Sequence, residues 1–225
     1  MNAVLDAEAA LNDPKSINTP MDSEIEITLG ILNAVHENSG TTQRSMAKDL
    51  GVALGLANAY LKRCVKKGLI KVSQAPANRY AYYLTPKGFA EKSELTARYL
   101  TMSFNFFRHA RTQCEEVFDV CAERGWRRIA LVGIGDLAEI AILCAREYPI
   151  EFAGFYEEAS EAEAFSELPV VTRIEDLGEV DAFVIVDLTA SQEKFDHLKL
   201  RVPQERILAP RLLNISRAKL QETPQ

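Results

Sequence analysis

The hydrophobic period of this chain changes once, near Gly125, and that change divides the fold in two. Before it, apolar residues recur at helical spacing: Ile25, Leu29, Leu32 and Val35, then Met46, Ala47 and Leu50, then Ala57, Leu61, Cys64 and Val65. After it come short continuous apolar runs at 129–132, 152–156, 170–171, 182–186 and 206–209, separated by helical patterns. Strands apolar on both faces that alternate with helices indicate a parallel sheet covered on both sides. The expected fold class is therefore two-domain α/β. It comprises an N-terminal winged helix-turn-helix, a long linker helix and a C-terminal Rossmann-like parallel sheet.

The N-terminal half carries its own punctuation. Ser23 and Glu26 have the S-x-x-E form of a capping box, which predicts a first helix from there to about residue 38. Thr42 suits the cap of a second helix over 43–50, and Gly51 permits the turn after it. A third helix is expected over 54–67, stopped by Gly68. Two strands, 70–73 and 80–84, flank the polar loop 74–79. Pro86, suited to a first helical position, opens a further helix to about residue 124, as one piece or two. The boundaries that follow are a disordered arm at 1–22, a DNA-binding domain at 23–85, a linker and dimerisation helix at 86–125, a ligand-sensing domain at 126–215 and a tail at 216–225. Leu95, Tyr99, Met102 and Phe106 form an apolar stripe expected to pair two copies of the chain as a homodimer.

The net charge of −6 looks wrong for a nucleic-acid binder until it is divided. Residues 24–100 hold 11 Lys/Arg against 6 Asp/Glu, whereas residues 101–225 hold 14 against 22. A basic module joined to an acidic one suits contact with double-stranded DNA at one end and a different task at the other. On the third helix, Gly55, Asn58, Lys62, Arg63 and Lys66 are expected to face DNA, with Arg44 on the second helix and Arg79 at the wing. Small residues let a helix approach base edges. Asn58 suits adenine or phosphate, and the cations suit phosphates.

The run Thr42-Gln43-Arg44-Ser45-Met46-Ala47-Lys48-Asp49-Leu50-Gly51-Val52-Ala53-Leu54-Gly55, with Tyr83-Leu84-Thr85-Pro86-Lys87-Gly88, resembles MarR-type winged-helix transcription regulators. The likeness covers roughly residues 25–110 and is nearest to the group associated with exopolysaccharide gene clusters. It implies a dimeric, cytoplasmic, DNA-binding regulator of polysaccharide genes. The sequence departs from that group at Ala53, where a capping serine is usual, and in everything after residue 125.

In the C-terminal half, Gly133-x-Gly135-x-x-Ala138 follows an apolar strand and opens a helix, as a dinucleotide fingerprint does. Gly133, Gly135, Asp136, Leu137, Ala138, Tyr156 and Glu157 are the expected ligand contacts. Of these, Asp136 is awkward beside a diphosphate, and Glu157 is suited to ribose hydroxyls. Residues 132–138 and 152–157 resemble the nucleotide-sugar-binding domain of sialic-acid and bacillosamine-type acetyltransferases. The domain order is similar to that of Rex-type redox repressors, which implies a nucleotide sugar or NAD(H) as the small nucleotide-type ligand.

No catalytic residues and no metal site are expected. The Tyr83-x-x-x-Lys87 pair precedes the glycine motif, and His36, His109 and His197 are scattered. The alternatives left open are a nucleotide-sugar or NAD(P)-dependent enzyme fused to a DNA-binding domain, and a ligand-independent DNA-binding scaffold. No apolar run reaches the roughly 18 residues of a membrane span. Cys64, Cys114, Cys121 and Cys144 form no C-x-x-C pair and read as buried thiols. Cys114 and Cys121, seven apart, share a helix face.

Overall fold

The computed structural model describes residues 20–75 and 79–217, with side chains described over 24–74 and 80–217. The expected arm up to residue 19, the wing-loop residues 76–78, the side chain of Arg79 and the tail from residue 218 lie outside the described residues. The chain forms two compact units, residues 1–105 and 106–225.

Among the described residues the first unit begins with α1, Pro20–Glu37. The helix already runs through residues 20–22, so Ser23 and Glu26 lie inside it and not at its cap. α2, Gln43–Asp49, is capped as expected: Thr42 Oγ1 accepts from the Ser45 amide at 3.1 Å. α3, Leu54–Lys66, starts at Ala53, whose side chain makes no capping bond. β1, Ile70–Ala75, pairs antiparallel with β2, Arg79–Leu84, from Ile70 opposite Leu84 to Ala75 opposite Arg79.

α4, Pro86–Glu123, runs as one helix of 38 residues. Its start is fixed by Thr85, whose hydroxyl accepts from the Gly88 amide at 3.0 Å and donates to the Gly68 carbonyl at 2.7 Å. The core of this unit joins Ile25, Leu29, Ile31, Leu32 and Val35 to Met46, Leu61, Cys64, Leu69, Ile70 and Tyr82. Leu95 is buried in the same core and Met102 packs against it, so neither stands clear on a stripe for a second chain. Val65 is a second departure. It is exposed, because the buried face of α3 is narrow and uses Ala57, Leu61 and Cys64.

The second unit holds a six-stranded sheet. Its strands are β3 (Arg128–Val132), β4 (Glu151–Tyr156), β5 (Ala164–Phe165), β6 (Leu168–Val171), β7 (Ala182–Ile185) and β8 (Ile207–Leu208). Their order is β5-β6-β4-β3-β7-β8, all parallel except the two-residue β5, which is antiparallel to β6. Counted in chain order, the five parallel strands lie 3-2-1-4-5. That arrangement is compatible with a Rossmann-like fold, and its connections reverse direction between β3 and β7. α5, Asp136–Ala145, follows β3, and α6, Ser191–Leu198, follows β7. β7 is buried end to end and β3 from Ile129 onward, as their apolar runs require.

Candidate nucleic-acid interface and strand-end crevice

α3 presents Gly55, Ala59, Lys62, Arg63 and Lys66 to solvent, with Asn58 half-buried among them. A side chain at Gly55 would meet nothing within 4 Å, so the glycine is not there to satisfy packing within the domain. The helix has no acidic residue in its first turn, and its exposed N-terminal amides favour an anion. Arg63 is committed locally: it pairs with Glu24 and lies 5.1 Å over the Tyr60 ring. That pair is about half exposed, a class worth little, so it yields readily to a phosphate. Arg44 is exposed on α2, and Arg79 opens β2 at the hairpin end.

Between α3 and the hairpin lies a groove of about 330 Å³, lined by Asn58, Leu61, Lys62, Val65, Val72 and Tyr80 among others. Gln43 Nε2 donates to the Tyr82 hydroxyl at 3.4 Å beside it. Asn58 Oδ1 is buried and has no hydrogen-bond partner. A buried unpaired acceptor costs stability. Asn58 is therefore placed partly in the groove, and not wholly on the outward face that its sequence position suggested.

In the second unit, the crevice lies where β3 and β7 end side by side. Gly133 has φ 98°, and its amide donates to the Tyr156 carbonyl at 3.1 Å. A Cβ there would stand 2.6 Å from Asp187 Cβ. The first glycine of the motif is thus required by the neighbouring strand end, independently of any ligand. Gly135 has φ 140° and open space around it, which is the feature expected of a backbone that a ligand approaches. Leu137 and Ala138 are fully buried and Asp136 is exposed. The Ala138 amide already donates to the Gly135 carbonyl at 3.0 Å, so these two residues serve packing, and the turn offers backbone only up to residue 137.

The acids expected to meet a ligand are not free. Glu157 is ion-paired with Lys194 of α6, and Lys194 Nζ also lies 3.0 Å from Asp187 Oδ2. All three side chains are less than a fifth exposed. Asp187 Oδ1 further accepts from the Thr189 and Ala190 amides, both at 2.7 Å, and from the Thr189 hydroxyl at 2.8 Å. Burial works to raise the Asp187 pKa, but these donors and Lys194 outweigh it and hold the carboxyl at about 2. The Tyr156 hydroxyl accepts from Arg201 at 3.3 Å, and burial pushes its pKa up. Lys194 and Asp187 had no local sequence signal, because 37 residues separate Glu157 from its partner. Among the described residues, no group of three or more His, Cys, Asp or Glu could hold a metal ion.

Residues 26–71 match the family model for winged helix-turn-helix DNA-binding domains. The chain carries a DNA-binding winged helix. Among solved structures it is similar to MepR, a transcription regulator of the Staphylococcus aureus multidrug efflux pump MepA. The identity is 28% over 37% of this chain and 61% of that one, at a TM-score of 0.32. The S. aureus MepR–DNA complex aligns at 28% identity over 36% of this chain and 58% of that one, at a TM-score of 0.31. The chain thus spans about three fifths of MepR. Human N-acetylserotonin methyltransferase in complex with SAM aligns over 84% of this chain and 75% of that one, at 13% identity and a TM-score of 0.36. At these scores the second unit's architecture rests on its strand order, not on likeness. No curated protein matches the chain. Among the described residues, no helix is long and apolar enough to cross a membrane.

Proposed function

We propose that this protein is a sequence-specific transcription regulator that binds DNA as a homodimer and senses a nucleotide-type ligand through its second unit. One observation carries the DNA reading. The exposed face of α3, inside the matched winged helix-turn-helix, gathers Lys62, Arg63 and Lys66 along a helix whose N-terminal turn includes the unobstructed Gly55. The lysines suit phosphates, which set affinity and make it salt-dependent, while the half-buried Asn58 retains an amide for a base edge. Arg44 extends the same basic surface. Dimerisation is assigned to the exposed apolar residues of α4, Tyr99, Leu100 and Phe104, beside Met102 and Phe106. Two recognition helices related by a two-fold axis read half-sites about 34 Å apart. The test is selection of bound sequences from a random duplex library, followed by anisotropy titration. The expected product is a palindrome bound at least tenfold more tightly than random duplex. A Lys62→Ala/Lys66→Ala variant that binds like the wild type refutes the assignment.

The ligand reading is supported by the reversal between β3 and β7, where open α/β sheets hold ligands, and by the open Gly135 turn. A nucleotide sugar or NAD(H) is the ligand class. Its ribose must compete with Lys194 for Glu157, and its phosphates meet Asp136 at the start of α5. Control of polysaccharide genes rests on sequence resemblance alone. The second unit is read as a sensor and not an enzyme, because the buried Asp187 of its crevice is held well below the usual carboxylate range by Lys194 and hydrogen bonds. A thermal-shift screen with UDP-sugars, CMP-sugars, NAD(H) and NADP(H) tests it; no shift with any of them leaves the domain a scaffold.

A further inference from the structure

Two features of the winged helix are left over once its lysines are assigned to phosphates. The first is an unused acceptor. Among the described residues, Asn58 Oδ1 is a buried side-chain oxygen without a hydrogen-bond partner. Folding has stripped it of water and supplied no donor in return, which costs stability. Turning the amide outward therefore gives up no hydrogen bond made by that oxygen. The second is apolar surface. Val65 of α3 and Val72 of β1 line the same groove as Asn58, and each is more than a third exposed. Neither belongs to the core of the unit. Val65 has core spacing in the sequence, and its exposure is what frees it for another task.

The rest of the lining indicates what reaches them. Lys62 and Lys66 stand in the same groove. They are the phosphate contacts of the DNA reading proposed above, on which this inference rests. A strand held by those two lysines passes over the groove and presents its base edges there. Donors are scarce on that surface. In the major groove only adenine N6 and cytosine N4 donate, while guanine N7 and O6, adenine N7 and thymine O4 all accept. An orphaned oxygen therefore selects adenine or cytosine. The apolar patch separates the two. An A·T pair carries the thymine C5 methyl on the same edge as the adenine amino group, whereas a G·C pair carries no methyl. We propose that each half-site contains an A·T pair read jointly by the two features: Asn58 Oδ1 accepts from adenine N6, and Val65 and Val72 receive the C5 methyl of the paired thymine.

The test uses the full chain and the duplex it selects from a random library, read by anisotropy. Each thymine of one half-site is replaced in turn by deoxyuridine, which deletes the methyl and keeps the pairing. At one position the wild type should lose about fourfold in affinity, the worth of one buried methyl-sized group. A Val65→Ala/Val72→Ala variant should lose less than about twofold at that position. Its two sites are exposed, so the fold should survive; should its melting point fall, the single Val72→Ala variant takes its place. Replacing the paired adenine by unsubstituted purine removes the 6-amino donor. That change should cost the wild type about tenfold and Asn58→Ala less than about twofold. Indifference to deoxyuridine at every thymine, an equal loss in the valine variant, or a selected half-site without an A·T pair would each overturn the proposal and leave DNA binding standing. A chain that selects no sequence overturns the DNA reading and this proposal together.

Discussion

The missing cap at α3 offers a perturbation whose effects on folding and on DNA can be separated. Ala53 sits at the N-cap with φ −60° and ψ 139°, the extended backbone a capping serine or aspartate adopts, and its side chain is exposed. Ala53→Ser therefore adds an acceptor for an amide of the first turn without disturbing packing. It should stabilise α3 by about 1 kcal/mol. Ala53→Asp adds the same acceptor plus a charge that complements a first turn without acids, worth roughly 0.3–1 kcal/mol more. The two variants should part company on DNA. The serine leaves the helix N-terminus open to a phosphate, so duplex affinity holds or rises. The aspartate places a negative charge where the phosphate belongs, and affinity should fall about tenfold despite the more stable helix. The stability change is read by hydrogen exchange of amides 57–66, where 1 kcal/mol slows exchange about fivefold. DNA binding is read by anisotropy at two salt concentrations. Unchanged exchange in both variants would refute the capping argument. Equal DNA affinity in both would show that the N-terminus of α3 is not at the backbone.

Lys62→Ala should reduce the slope of log affinity against log salt by about 1, measured by titration across salt, because one phosphate contact is lost. Leu100→Glu, at an exposed position, should leave thermal stability within about 0.5 kcal/mol if the chain is monomeric, and convert dimers to monomers in sedimentation if α4 pairs. Lys194→Met leaves Glu157 and Asp187 buried without their cation and should cost about 3 kcal/mol in urea unfolding of the second unit. The Asp187 carboxyl, lowered from 3.8 to about 2, contributes roughly 2 kcal/mol above pH 4 and loses it as pH falls toward 2. Asp187→Asn should flatten that limb of the acid-unfolding curve.

What the sequence revealed and what it hid follow from the range of the interactions involved. The five parallel strands were visible because each is an apolar run of its own, and the α2 cap was visible because Thr42 and Ser45 are three apart. The strand β5 was missed, since two residues carry no period. Leu95 has the spacing of an exposed stripe, yet it is drawn into the winged-helix core by residues of α1, α3 and the hairpin, which no helical wheel of α4 contains. The same holds at the crevice. Gly133 was read as a ligand glycine, but Asp187, 54 positions later, already demands it. Glu157 was read as a ribose acceptor, but Lys194 is its partner.

The small antiparallel strand β5 has a consequence for how copies of this domain behave at high concentration. It pairs with β6 through Phe165 opposite Leu168, joined by Ser166 and Glu167, both with positive φ (47° and 67°). That is the φ pattern of a type I′ connection, usually built from Asn and Gly, and neither occurs here. The cover over this sheet border is therefore held by a turn working against its own residues. When it lifts, the β6 border is bare and can template pairing with another molecule. Ser166→Asn with Glu167→Gly should fasten the cover, and the gain should appear as slower aggregation on heating, even where unfolding itself is unchanged.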